Sequence, residues 1–535
     1  MKVVIIMKLY HNGPILTMEE EMPLAEVLVE ENGRILYVGG QAGAAAYADD
    51  AELVDLAGRT LMPAFLDAHS HISETAMLLS AANLQEARSF ADLVVILKDY
   101  AAQPEVAAMP FVVGLGYDHN ALEEQRHPDK FLLDAAFPDR AVVVVHTSMH
   151  MCVANSRMLA EMGVDAATPT PEGGAIGRVG DSQEPDGYLE ETAFNPVYDR
   201  VCKLLAATPE RIANTQYHYI QHGILTIQEG ATDAPIVSAC RQAAEAGRLV
   251  CDVVAYPALN FGRGVGTAFE ENADCLGRYK NHFKLGGYKL ILDGSPQGRT
   301  AWLSTPYEDS DDCSMGWLSD EALQDYVDQC MRLRRQVLAH CNGDAAAEQF
   351  INACERALEK YPWEDARPVM IHCQTVRDDQ LERMAKIGMI ASFFVEHVYF
   401  WGDAHLKNLG PVRGPHISPT KAALERGVAF NLHTDCPVVP PDMFHTAWTA
   451  CNRITKSGRV LGADQCLDVW QALKGLTIDA AYAYFEENDK GSLKAGKKAD
   501  LILVDRNPLA IEVMQLKDIR VLACIKEGQL VYGNC

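Results

Sequence analysis

Two imidazoles one residue apart, His69-Ser70-His71, follow directly on the apolar run at 61–68. At the C-terminal end of a strand both rings can turn toward one metal ion. Four further residues sit at or just beyond the ends of other apolar runs: Lys289, His340, His372 and Asp435. Histidines and a carboxylate are zinc-type ligands. A lysine inside an apolar strand is costly unless it has a task; carboxylation by CO2 would turn it into a carboxylate able to bridge two ions. Asp435 could ligate a metal, accept the proton of an attacking water and return it to the leaving group. His372 could stabilise the intermediate beside it. The set describes a hydrolase that uses one or two divalent ions to activate water.

Such residues need strands to aim them. Eight continuous apolar runs are candidates: 61–67, 224–228, 252–257, 288–292, 336–339, 369–371, 389–394 and 428–432. Continuous rather than alternating runs are expected of strands covered by helices on their outer face. Charged amphipathic stretches at 319–335, 344–361 and 375–387 supply helices between them. Eight strand–helix repeats suit an α/β fold of the (β/α)8 TIM-barrel type, whose function gathers at the strands' C-terminal ends. About 150 residues separate the first two runs, so 75–205 is expected to be a large insertion shaping the substrate pocket. It holds a strand at 141–146 and a turn at Glu172-Gly173-Gly174. The insertion offers Asp118, His119, Arg126, His150, Asn155 and Glu190, of which Asp118, His150, Asn155 and Glu190 are the candidate substrate contacts; Arg299 and His397 are further candidates elsewhere. Asp344 is expected to cap or orient the helix after His340, or to hold a ligating histidine in place. His433 reads as structural or as a support behind the ligands.

Both ends of the chain read as short strands: 3–6, 25–29 and 35–38 at one, 500–504, 519–525 and 529–532 at the other. Asn32-Gly33 and Glu527-Gly528 are hairpin signals. Neither piece can bury a sheet alone, so 1–60 and 485–535 are expected to form one small β-sandwich around a metal-dependent barrel domain at 61–484.

Composition narrows the partners. The 535 residues are 48% hydrophobic and carry a formal charge of -26, which argues against nucleic acid and anionic membrane surfaces. No run approaches the roughly 18 apolar residues of a membrane span. The 15 cysteines show no framework, which favours a reducing, cytoplasmic setting. A small-molecule substrate is expected, and composition leaves the oligomeric state open, a homo-oligomer included.

The segments MPAFLDAHSH (62–71), YKLILDGSPQGRTAWL (288–303), LAHCNGDAAAEQFINA (338–353), PVMIHCQ (368–374) and NLHTDCPVVPPDMFHTAW (431–448) resemble the amidohydrolase superfamily. So does GSLKAGKKADLILVDRNPL (491–509). HTSMHMCVANSRML (146–159), GGAIGR (173–178) and GYLEE (187–191) resemble the inserted region of its YtcJ-like branch, which includes N-substituted formamide deformylases. The resemblance implies a distorted (β/α)8 barrel with a flanking β-sandwich and hydrolysis of an amide-type C–N bond. It also implies metal ligation by His69, His71, a bridging Lys289, His340, His372 and Asp435. The chain departs from the branch after Ser295 and at His433-Thr434, so the substrate does not transfer by analogy. Ester or lactone hydrolysis and deamination remain alternatives on the same barrel. Deaminases of this superfamily often place a glutamate where this chain has Gly343. A metal-bearing, non-catalytic binding protein is the alternative from another class.

Overall fold

A computed structural model describes residues 7–148 and 150–534; the strand expected at 3–6 lies outside them. The chain forms two compact units. One is built from the residues up to Ile72 together with those from Ile212 onward, the other is Ser73–Arg211.

The apolar runs of the larger unit form parallel strands in two sheets. The first sheet orders Phe65–Leu66, Ile224–Thr232, Asp252–Pro257 and Phe283–Leu285 side by side. The second orders Gly287–Ile291, Gln336–Cys341, Val369–His372, Ile390–Phe393 and Phe430–Leu432. Their residues are buried on both faces, as continuous apolar runs require. The intervening helices include Asp320–Arg332, Asp344–Lys360 and Asp378–Lys386. In the first of these, Ser319 caps the N-terminus while Leu323, Val327 and Cys330 face inward.

Two of the runs differ from the sequence reading. The stretch at 61–67 is two strands. Thr60–Pro63 pairs antiparallel with Leu501–Val504, and Phe65–Leu66 turns away to pair with Ile224–Thr232. Pro63 has no N–H to extend the first ladder. The run at 288–292 is preceded by a strand the reading missed, Phe283–Leu285. Gly286 and Gly287 divide the two. A Cβ on Gly286 would lie 2.3 Å from the Tyr256 ring, and one on Gly287 2.1 Å from the Gln336 carbonyl oxygen. Only glycine permits this close approach.

The terminal segments make a four-stranded and a six-stranded sheet. Tyr10, Leu28 and Ile35 from one and Leu61, Leu501, Leu503 and Ile525 from the other share a single apolar cluster. Both expected hairpins are present. Asn32 and Gly33 have φ of 55° and 80°, Glu527 and Gly528 46° and 75°, the positive values a two-residue turn needs.

The smaller unit is a six-stranded mixed sheet with an apolar cluster on each face. Alternate residues of Val142–His146 serve opposite faces: Val143 and Val145 one, Val142 and Val144 the other. Among the described residues no helix is long and apolar enough to cross a membrane, and the cysteines are free thiols, mostly buried.

Candidate metal centre

His69 and His71 follow the strand Phe65–Leu66, and Asp435 lies three residues beyond Phe430–Leu432. Backbone bonds join these two chain ends: Asp435 N–H donates to the His69 carbonyl at 3.0 Å and His71 N–H to the Cys436 carbonyl at 2.7 Å. The Nε2 atoms of His69 and His71 stand 3.5 and 3.4 Å from Asp435 Oδ1. Ligands bonded to one tetrahedral ion at about 2.0–2.1 Å are about 3.3 Å apart, so the three atoms fit one coordination sphere.

The other expected residues converge on the same place. Lys289, 1% exposed within its strand, puts Nζ 3.1 Å from His69 Nε2. His372 Nε2 lies 2.9 Å from His340 Nδ1, and His372 Nδ1 lies 3.9 Å from Asp435 Oδ2. His433, read from sequence as structural or as a support behind the ligands, is here too. Its Nε2 is 3.3 Å from His372 Nδ1 and its Nδ1 2.9 Å from Ser392 Oγ. Both His372 (φ 77°) and Asp435 (φ 55°) hold left-handed backbone conformations. That is mild strain at the two residues proposed for chemistry.

The surroundings prepare the imidazoles as ligands. Gln228 donates its amide N–H to the Ala68 carbonyl at 2.7 Å and to Tyr484 Oη at 3.1 Å, which fixes its Oε1 toward His69 Nδ1 at 2.6 Å. An amide oxygen only accepts, so His69 is protonated on Nδ1 and its Nε2 lone pair faces Asp435. The Gly294 carbonyl, 3.1 Å from His340 Nε2, holds that ring with Nδ1 toward His372. Burial, reinforced by the neighbouring Lys289, lowers the His69 pKa well below its ordinary value and that of His340 to about 4. Burial and then His340 lower that of His372. Neutral rings are what metal binding requires. Replacing Gln228 by leucine is expected to weaken zinc binding at this centre 10- to 100-fold, measured by competition with a chromophoric chelator.

Several supports had no signal of their own in the sequence reading. Asp67 accepts from Thr434 N–H at 3.2 Å and from Thr434 Oγ1 at 2.5 Å, which sets the turn that presents Asp435. Burial raises the Asp67 pKa to about 7, against those bonds. Asp293 accepts the N–H groups of Asn342, Gly343 and Trp302 and so anchors the loop after His340. Asp344 does not cap the following helix; it is the first helical residue, and its carboxylate binds Ser304 N–H and Arg377. A polar residue inside an apolar run, as Gln228 and Asp67 are, was the available clue.

The candidate substrate contacts are scattered. His397, 3% exposed, packs on Phe394 with ring centroids 4.7 Å apart and bonds His405 through Nδ1 at 3.0 Å. Arg299 is exposed, at φ 57°, with its guanidinium 5.3 Å from the Tyr307 ring centre. Within the smaller unit, His150 makes an exposed ion pair with Glu191, and Glu190 lies on the strand Pro185–Glu191. Asn155 is fully buried. Its oxygen accepts from Val142 N–H and Met158 N–H and its amide donates to the Arg140 carbonyl. Its polar atoms are taken up in capping a helix rather than in meeting a ligand. Asp118 stands beside His119 and His146.

The strands and the gathered donors define a metal-binding hydrolase fold. The chain belongs to the amidohydrolase family, whose sequence profile matches residues 52–532. It is 24% identical to an N-substituted formamide deformylase of Arthrobacter pascens, over 97% of each chain. It is 25% identical to the putative amidohydrolase YtcJ of Bacillus subtilis (strain 168), over 98% of this chain and 99% of that one. Among solved structures, an uncharacterized metal-dependent hydrolase from Pyrococcus horikoshii superposes with a TM-score of 0.76 at 26% identity, covering 98% of this chain and all of its own.

Proposed function

We propose that this chain hydrolyses a non-peptide carbon–nitrogen bond, of the amide, N-acyl or N-formyl kind, with an activated water molecule. In this reading the two parallel sheets close into a distorted (β/α)8 barrel, and His69, His71, Lys289, His340, His372 and Asp435 hold one or two divalent ions. The observation that carries the reading is the convergence of those six residues on one buried place, with Asp435 between the two histidine pairs. The donor set fits zinc: nitrogen and oxygen ligands, neutral rings, and orienting partners on His69 and His340. A bound ion supplies a water acidic enough to ionise near neutral pH and a positive charge for the substrate carbonyl.

The remaining work falls to side chains. Asp435 takes one proton from the attacking water and later delivers it to the departing amine nitrogen, so water's oxygen ends on the acyl carbon as the C–N bond breaks. His372, 3.9 Å from Asp435, is the proposed partner for charge on the former carbonyl oxygen. Lys289 serves in its carboxylated form, its Nζ joined to CO2 with release of a proton, and so adds a carboxylate between the histidine pairs. His397, packed beside Phe394, is the proposed contact for the organic part of the substrate. The similarity to an N-substituted formamide deformylase over nearly the whole chain supports N-formyl amines as the first substrates to try.

The test is a panel of N-formyl and N-acyl amines, with esters, lactones and amino-heterocycles as controls. It is run on the protein as isolated, after chelation and after zinc is restored. Amide turnover that vanishes with chelation and returns with zinc is expected. Turnover confined to esters or to deamination, or unaffected by chelation, overturns the proposal.

A further inference from the structure

The smaller unit gathers a second set of metal-type side chains. Its strands Val112–Tyr117 and Val142–His146 run parallel with Tyr117 beside His146, so both end at the same edge. Asp118 and His119 leave the first strand there, and His146 ends the second. His119 Nδ1 lies 3.1 Å from His146 Nε2, and Asp118 Oδ1 lies 3.8 Å from His146 Nε2 and 4.0 Å from His119 Nδ1. The His127 ring stacks on His119 with centroids 4.0 Å apart and stands beside the set. These separations bracket the roughly 3.3 Å expected between ligands of one tetrahedral ion.

Each group is held by a neighbour. Asn120 N–H donates to Asp118 Oδ1 at 2.9 Å. Tyr117 Oη meets His127 Nδ1 at 2.9 Å. Ser148 approaches His146 Nδ1 twice, with its hydroxyl at 2.9 Å and its backbone N–H at 3.0 Å. The backbone N–H is fixed and donates to Nδ1, so here His146 carries its proton on Nε2 and donates it to His119 Nδ1. An ion at Nε2 would take the place of that proton, with the Ser148 N–H turned away from a then-protonated Nδ1. Burial, and then the neighbouring His119, lowers the His127 pKa to about 4 and lowers that of His146.

We propose that Asp118, His119 and His146, with the His127 ring alongside, form a second divalent transition-metal site within the smaller unit. Its donors are nitrogen and oxygen, so zinc, nickel and copper are the suited class, not calcium or magnesium. Its role is to fasten the chain leaving residue 117 to the neighbouring strand end.

The test uses the full-length chain, stripped with chelator and titrated with Zn2+ by calorimetry, with Co2+ absorption as a second readout. Replacing His119→Ala with His146→Ala is expected to remove one equivalent of bound ion. His69→Ala with His71→Ala is expected to leave that equivalent in place, which separates this site from the hydrolytic centre. Asp118 is partly exposed, so Asp118→Asn reports even if the double variant misfolds; at least a tenfold weaker second site is expected. An unchanged stoichiometry and affinity in the Asp118 and histidine variants overturns the site. So does zinc anomalous scattering confined to the other centre.

Discussion

Replacing Asp435 by asparagine is expected to lower kcat on the best amide substrate by about 10²–10⁴-fold, the usual worth of a positioned proton carrier. The substitution keeps the shape of the side chain and its backbone bond to the His69 carbonyl. It replaces an acceptor-only carboxylate by a group with two N–H donors and no proton affinity near neutral pH. Asp435 Oδ1 faces Nε2 of both His69 and His71, and Oδ2 faces His372. An amide N–H placed there would compete for the lone pairs those rings need for an ion. Two effects therefore combine, loss of the proton shuttle and weaker metal binding. Zinc content measured alongside kcat separates them: at saturating zinc the metal deficit is repaired and the loss in kcat persists. The melting temperature is expected to stay close to wild type. Undiminished turnover at full zinc loading would remove Asp435 from the mechanism and leave His372 or His433 to carry the proton.

The six residues of the proposed centre were legible because five of them end or follow an uninterrupted apolar run and Lys289 interrupts one, and such runs declare themselves in sequence. What orients them was not. Gln228 fixes the tautomer of His69 across 159 positions, and Thr434 meets Asp67 across 367. Each link depends on two strands becoming neighbours, which no local pattern encodes. The strand boundaries erred where glycine or proline answers to a distant contact. Gly286 and Gly287 exist for Tyr256 and Gln336, and Pro63 marks where the chain changes sheets. The smaller unit was the least legible. Of its six strands only the one at 141–146 stood out, since it alone is a solid valine run. The histidine cluster at its edge joins residues 27 apart whose proximity depends on the parallel pairing of two strands.

A buried ionic network beneath the strands should give the largest stability effect. Asp252 opens the strand Asp252–Pro257 and is fully buried. It pairs with Lys490 and with Lys526, the latter at 2.7 Å, and accepts from His282 at 2.8 Å. Lys526 also pairs with Asp500 at 2.7 Å, and Lys490 with Glu486 at 2.9 Å. The network therefore ties the barrel-type strands to the terminal sheet through Lys526. Burial alone would raise the Asp252 pKa, but Lys490 and Lys526 hold it well below the ordinary value. Asp252→Asn leaves two buried ammonium groups short of a counter-charge, and breaking such a pair costs about 3–5 kcal/mol. A marked drop in the urea midpoint is expected. The native carboxyl titrates below the unfolded one, so its contribution is complete above about pH 5 and drains only in stronger acid. The deficit of the variant should accordingly be the same at pH 6 and pH 8. Combining Asp252→Asn with Lys526→Met should recover part of the loss, because the penalty lies in the unpaired charge more than in the missing attraction. If the double variant were instead as unstable as the sum of the two single ones, Asp252 and Lys526 would be acting independently. The coupling between strand and terminal sheet would then have to lie in the apolar contacts around them.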